Sequence, residues 1–190
     1  MKALRPLAAR LTAPLLGALA RTPITPNQLT VVGAAVNAAV AVVIAVGENR
    51  VAGILVLLAS AFDLLDGALA RASGRVSRFG AFLDSTLDRF GDAALFFGTA
   101  WRGVRTGNPL LTLLAFLACV ASLLVSYTRA RAEGVGAKGE VGLFDRPARI
   151  VVLAAGLMTN RLPPALLLIT LGAAATVIQR IVAVRQQLSA

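Results

Sequence analysis

The sequence predicts an all-α membrane protein: a polytopic bundle of six transmembrane helices, preceded by an amphipathic helix lying in the membrane interface. Three observations carry that prediction. The 190 residues are 57% hydrophobic and only 15% charged, too few polar groups to coat a soluble domain of this length. Uncharged stretches reach bilayer length. Val31 to Gly47 is 17 residues and Thr106 to Thr128 is 23, against about 20 apolar residues for a spanning helix. These runs are continuous, unlike the short alternating strands of a β-barrel.

The elements follow in order. Residues 1–20 place Leu4, Leu7, Leu11 and Leu15 at helical spacing, with Lys2, Arg5 and Arg10 between them. Such a segment, here 1–21, lies along the membrane with its basic side toward the headgroups. Ala18-Leu19-Ala20 resembles a signal-peptide cleavage site, but Arg10 and Pro14 leave only a short apolar core before it. In the run Thr25-Pro26-Asn27-Gln28-Leu29-Thr30, Thr25 or Asn27 can cap a helix, so the first span runs about 29–47. The second starts near Val51, stays apolar to Phe62, then meets Asp63, Asp66 and Arg71. A third helix begins near Phe79, carries Asp84, Asp88, Arg89 and Asp92, and turns apolar up to Trp101. The fourth span runs about 109–128, and a glycine-rich polar loop follows from Glu133 to Asp145. The fifth helix starts near Pro147, where proline suits a first turn, and the sixth covers about 165–182.

Six spans put both termini on one side. That side collects 15 of the 19 basic residues, all but Arg50, Arg102, Arg105 and Arg161. The positive-inside rule makes it the cytoplasmic face of the cell membrane. The net charge of +10 would suggest nucleic acid in a soluble protein; here it reads as topology and attraction to anionic lipid. No inverted repeat is evident, so residues 1–190 read as one bundle domain. The single cysteine, Cys119, excludes an intrachain disulfide, and histidine is absent. A metal would then sit on carboxylates, which favours Mg²⁺ or Mn²⁺.

Five of the nine acids fall within residues 63–92. Asp63 and Asp66 share a helix face, with the small Gly67 and Ala70 beside them and Arg71 after. On the next helix Gly80, Asp84 and Asp88 recur every four residues, again one face. If the two helices form a hairpin, four carboxylates meet near membrane depth. That is costly unless compensated. Two divalent ions would compensate them, clamp phosphoryl oxygens and stabilise displacement at phosphorus. The plainer alternative is salt bridges to Arg71, Arg75, Arg78 and Arg89. Pairing alone requires neither the shared faces nor the interleaved small residues.

The run Asp63-x2-Asp66-Gly67-x2-Ala70-Arg71-x8-Gly80-x3-Asp84-x3-Asp88 resembles in full the signature of the CDP-alcohol phosphatidyltransferases. Pro26-Asn27-Gln28-Leu29-Thr30 is similar to that family's first-helix start. The resemblance implies six transmembrane helices and transfer of a phosphatidyl group from a CDP-linked lipid, such as CDP-diacylglycerol, to an alcohol with release of CMP. It also implies a homodimer. By position it makes Asp63, Asp66, Asp84 and Asp88 ligands of two Mg²⁺ or Mn²⁺ ions and Asp88 the general base. Gly67, Ala70, Arg71 and Gly80 then fall around the CDP moiety. Asp92, outside the signature, reads as a supporting residue or an arginine's partner.

The flanking sequence bears on the acceptor. Arg75 to Ser85 and Asp88-Arg89 resemble the inositol branch. Glycerol-phosphate and cardiolipin branches more often show proline and lysine where this chain has Ser85 and Arg89. Ser126 to Glu133 and Asp145-Arg146-Pro147-Ala148-Arg149 resemble prokaryotic phosphatidylinositol-phosphate and archaetidylinositol-phosphate synthases. In that branch, basic residues matching Arg129, Arg149 and Arg180 bind the acceptor's phosphate. Three cations suit a phosphorylated polyol, inositol phosphate first, better than a free alcohol. Glycerol 3-phosphate is the alternative acceptor. A cation or anion transporter is the distant one, disfavoured because the acids cluster at one face and no broken paired helices are seen.

Overall fold

The computed structural model describes residues 22–189. The expected interfacial helix at 1–21 lies outside the described residues. Within them are six helices: α1 (Pro26–Val46), α2 (Asn49–Ala72), α3 (Arg78–Arg105), α4 (Pro109–Gly134), α5 (Arg146–Met158) and α6 (Leu162–Leu188).

Local chemistry sets their ends. Thr25 caps α1 in a reciprocal box: its hydroxyl accepts from the Gln28 N–H, and the Gln28 side chain accepts from the Thr25 N–H at 2.8 Å. Gly47, at φ 108°, closes the helix in the left-handed conformation that favours glycine. Ser77, Asn108 and Asp145 cap α3, α4 and α5 through their side chains. Proline stands in the first turn of α4, α5 and α6, where its missing N–H costs nothing. The fourth helix runs to Gly134, six residues past its expected end at 128, so Arg129, Arg131 and Glu133 lie on helix. An i,i+4 pair between Arg129 and Glu133, 3.0 Å, supports that extra turn.

Helices α1, α2, α4 and α6 are long and apolar enough to cross a membrane. Helix α3 has the length, 28 residues, but its first half is charged. Helix α5 has 13 residues, about 20 Å at 1.5 Å per residue.

The main packing contacts close a ring in the order α1, α3, α4, α6, α5, α2 and back to α1. Sequence-adjacent α2 and α3 therefore do not form the packed hairpin that is one way to bring their acids together. Helix α1 packs against both, and where it meets the acids it offers Thr30, Asn37 and the small Gly33. Close approach of α1 and α3 depends on Gly98, where a Cβ would collide with the Ala41 carbonyl.

The largest core cluster includes Ile44, Val56, Leu95, Leu153, Leu157 and Ile169. Toward the acid-bearing end the core thins to two small clusters, Leu29, Leu65 and Leu69 on α1 and α2, and Ala121, Val125 and Ala173 on α4 and α6. The outer surface is apolar, with Leu58, Phe97, Phe116 and Ile178 exposed, as suits contact with lipid tails. At the end away from the acids, Arg102 donates to Asn49 and to the Gly47 carbonyl, and Asn49 donates to Asn160. This clip joins three connections.

Candidate active site

Helix α2 delivers Asp63 and Asp66 to the ring's interior, and α3 delivers Asp84 and Asp88. All four line one small cavity of about 10 Å³ together with Thr30 and Asn37 of α1, room for about one water-sized species. Asp66 is buried. Thr30 Oγ1 donates to its Oδ2 at 2.6 Å, and the Gly67 N–H donates to its Oδ1. Asn37 Nδ2 donates to Asp63 Oδ2 at 3.4 Å and to the Gly33 carbonyl at 3.0 Å. Gly33 is small because a Cβ there would lie 2.6 Å from Asp63 Oδ1.

Two larger cavities flank the small one. On one side, about 300 Å³ is lined by Gly67, Ala70, Arg71 and Gly80, the four residues expected around CDP, and also by Asn27 and Ser77. On the other, about 720 Å³ is lined by Ser85, Arg89, Ser126, Tyr127 and Arg129. Asp84 lines all three cavities, Asp66 the first pair and Asp88 the second. The carboxylates therefore form a shared wall between two chambers.

The three expected acceptor arginines are not equivalent. Arg129 is half-exposed in the larger chamber, paired with Glu133 at 3.0 Å and Glu140 at 3.9 Å. Arg149 is 3% exposed and donates to the Phe144 carbonyl and Asp92, while its Nε has no hydrogen-bond partner. Arg180 is buried and donates to the carbonyls of Val141 and Val125. Arg149 and Arg180 do not line the chamber.

The ion pairs on the acids differ from those weighed in the sequence. Among the described residues, Arg71, Arg75 and Arg78 make none with them, and Arg89 reaches Asp88 only at 3.9 Å. The main partner is Arg146, which binds Asp63 and Asp88 at 2.8 Å each and Asp92 at 2.9 Å. Asp92 also takes Arg149 at 3.3 Å. Sequence reasoning assigned no role to Thr30, Asn37 or Arg146. Asn37 carried a signal, since a lone amide within an uncharged span needs a buried partner.

The profile of the CDP-alcohol phosphatidyltransferases matches residues 23–184.

This chain belongs to the CDP-alcohol phosphatidyltransferase family.

It is 36% identical over 186 residues to the phosphatidylinositol phosphate synthase of Mycobacteroides abscessus, covering 93% of this chain and 84% of that one. It is 36% identical over 171 residues to the archaetidylinositol phosphate synthase of Pyrococcus horikoshii, covering 90% and 88%. A crystal structure of the Mycobacterium tuberculosis phosphatidylinositol phosphate synthase with CDP-DAG bound superposes with a TM-score of 0.85 at 32% identity, covering 93% of this chain and 94% of that one. Another structure of that enzyme, with manganese and citrate, gives a TM-score of 0.76 at 32% identity, covering 94% and 87%. The phosphatidyltransferase resemblance read from the signature is thus the chain's family, and its enzyme class follows.

The donor set of this phosphatidyltransferase suits a divalent metal: four hard carboxylates share one cavity, with no histidine or thiolate. Among the described residues, no acidic trio is yet drawn together as a metal-ligand group. Arg146 lies between the carboxylates of α2 and α3 instead.

Proposed function

We propose that this phosphatidyltransferase moves a phosphatidyl group from CDP-diacylglycerol to a hydroxyl of inositol phosphate, releasing CMP. The observation that carries the reading is the wall of aspartates between two chambers, one bearing the CDP-side residues and the other Arg129.

Asp63, Asp66, Asp84 and Asp88 would hold two Mg²⁺ or Mn²⁺ ions. When bound, the ions draw charge from the phosphoryl oxygens and from the departing CMP. Arg71 adds a cation to the nucleotide's phosphates, while Gly67, Ala70 and Gly80 leave room for the nucleotide. Arg129 holds the acceptor's phosphate in the larger chamber, backed by the charge of Arg149 and Arg180. Asp88 borders that chamber and takes the proton of the attacking hydroxyl. The hydroxyl oxygen bonds to the lipid-side phosphorus as the bond from that phosphorus to the CMP oxygen breaks. A carboxylate is a weak base, so most of the advantage comes from holding both reactants across one wall.

The same reading has six spans, with α3 and α5 crossing beside the four long apolar helices. The active site and both termini then face the cytoplasm, consistent with the basic residues gathered there. A homodimer completes the reading.

The test is CMP release by purified protein with CDP-diacylglycerol and Mg²⁺ across phosphorylated polyols. Inositol phosphate should be the best acceptor. Preference for glycerol 3-phosphate would refute the acceptor and leave the chemistry standing.

A further inference from the structure

We propose that Arg146 is a resident cation of the aspartate wall, exchanged when divalent ions bind: it yields Asp63 and Asp88 to the metal and turns its charge to the acceptor's phosphate. The inference rests on the metal reading above.

Arg146 addresses three carboxylates with three different nitrogens: Nη2 to Asp63, Nη1 to Asp88 and Nε to Asp92. These come from α2 and α3, while Arg146 is the first residue of α5. One planar guanidinium thus ties three helices that have reason to part. Lysine, a point charge without the fork, cannot span all three. Arg146 engages one oxygen each of Asp63 and Asp88, two of the carboxylates of the metal reading, and so competes with a metal for their lone pairs and their charge.

Charge balance gives the direction. The four signature aspartates match two divalent ions. With those ions bound, Asp63 and Asp88 have no further need of Arg146. Asp92 remains, already held by Arg149 at 3.3 Å. Two guanidiniums on one carboxylate leave a surplus positive charge. It lies beside Asp88, which lines the chamber that also contains Arg129. An anionic phosphate entering that chamber is what the surplus would attract. The exchange therefore orders the substrates: metal first, phosphorylated acceptor after.

The test uses the full chain, purified in detergent and stripped with chelator. Mn²⁺ binding is followed by electron paramagnetic resonance, and melting temperature is read with and without Mn²⁺. Arg146→Gln should bind Mn²⁺ about tenfold tighter than the wild type, since two competing charge-assisted bonds are gone. It should melt lower in chelator, gain more from Mn²⁺ than the wild type does, and show a raised KM for inositol phosphate. Arg146→Lys, the milder change should Arg146→Gln not fold, should bind Mn²⁺ with intermediate affinity. A mere structural prop predicts the opposite, weaker Mn²⁺ binding as the wall falls apart. Unchanged or weaker Mn²⁺ affinity in either variant overturns the exchange while leaving the metal reading intact. A wild-type protein that binds no Mn²⁺ overturns both.

Discussion

Gly33→Ala separates the demands of the site from those of the fold. Gly33 is buried on α1, where its face meets Asp63. A Cβ added there lies 2.6 Å from Asp63 Oδ1, about 0.8 Å short of the ordinary contact that begins at 3.4 Å. The carboxylate cannot simply swing aside. Its Oδ2 is held by Arg146 at 2.8 Å and by Asn37 at 3.4 Å. The substitution therefore moves a proposed metal ligand by a sizeable fraction of an ångström. Misplacement on that scale can cost on the order of a hundredfold in rate, so kcat should fall about ten- to a hundredfold.

Backbone propensity pulls the other way. Alanine is favoured over glycine inside a helix by about 1 kcal/mol, which offsets part of the clash. The melting temperature in detergent should then stay within about 5 °C of the wild type. The assay is CMP release at saturating CDP-diacylglycerol and inositol phosphate, run beside a melting curve. A variant with kcat within twofold of wild type and an unchanged melt would refute the tight fit at Asp63. A large loss of melting temperature together with activity would move the effect from site to fold.

Three further outcomes are expected. Thr30→Val removes the hydroxyl that donates to buried Asp66 at 2.6 Å, leaving a carboxylate short of a donor at a cost of about 1–3 kcal/mol; metal affinity and CMP release should both drop, while Thr30→Ser restores them. Asn49→Ala cuts the clip to Arg102 and Asn160, so the melt should fall by the equivalent of about 1–3 kcal/mol with kcat at low temperature unchanged. Asp88→Asn should abolish transfer while binding of CDP-diacylglycerol, followed by calorimetry, is retained; normal CMP release would remove Asp88 from the role of base.

The signature was readable because its spacing obeys helix geometry: three- and four-residue steps put Asp63 with Asp66, and Gly80 with Asp84 and Asp88, each on one face. The helix starts at Thr25 or Asn27 and near Pro147 were readable for the same local reason. The route by which the two faces meet was not. Nothing local in α2 or α3 says that α1 will pack against both, because that depends on tolerances such as Gly98 against the Ala41 carbonyl. Arg146 was missed because its partners lie 54 to 83 residues away. Among 17 arginines, sequence offers no means of telling a buried tie from a topological charge. Arg149 and Arg180 show the same limit. Their charge was noted, but their engagement with the Phe144, Val141 and Val125 carbonyls depends on the loop before α5 folding back onto α6 and on α4 packing against α6.

The division of the bundle into two ends explains how such a site is tolerated. Buried carboxylates facing one another cost free energy that something else must supply. The largest apolar cluster, with Ile44, Leu157 and Leu162, gathers around the ends that carry the Asn49–Arg102–Asn160 clip. At the acid-bearing end the apolar clusters are smaller: Leu29, Leu65 and Leu69 with Ile24 and Phe62, and Ala121, Val125 and Ala173 with Val177. A lightly packed end can open chambers between helices, and its polar side chains can change partners without unravelling the ring. The same arrangement makes opposite demands on substitutions at the two ends. Changes at the clip end should read out first in stability, and changes at Gly33, Thr30 or Arg146 first in metal affinity and turnover. A chain whose stability and activity fell in parallel at both ends would not be built this way.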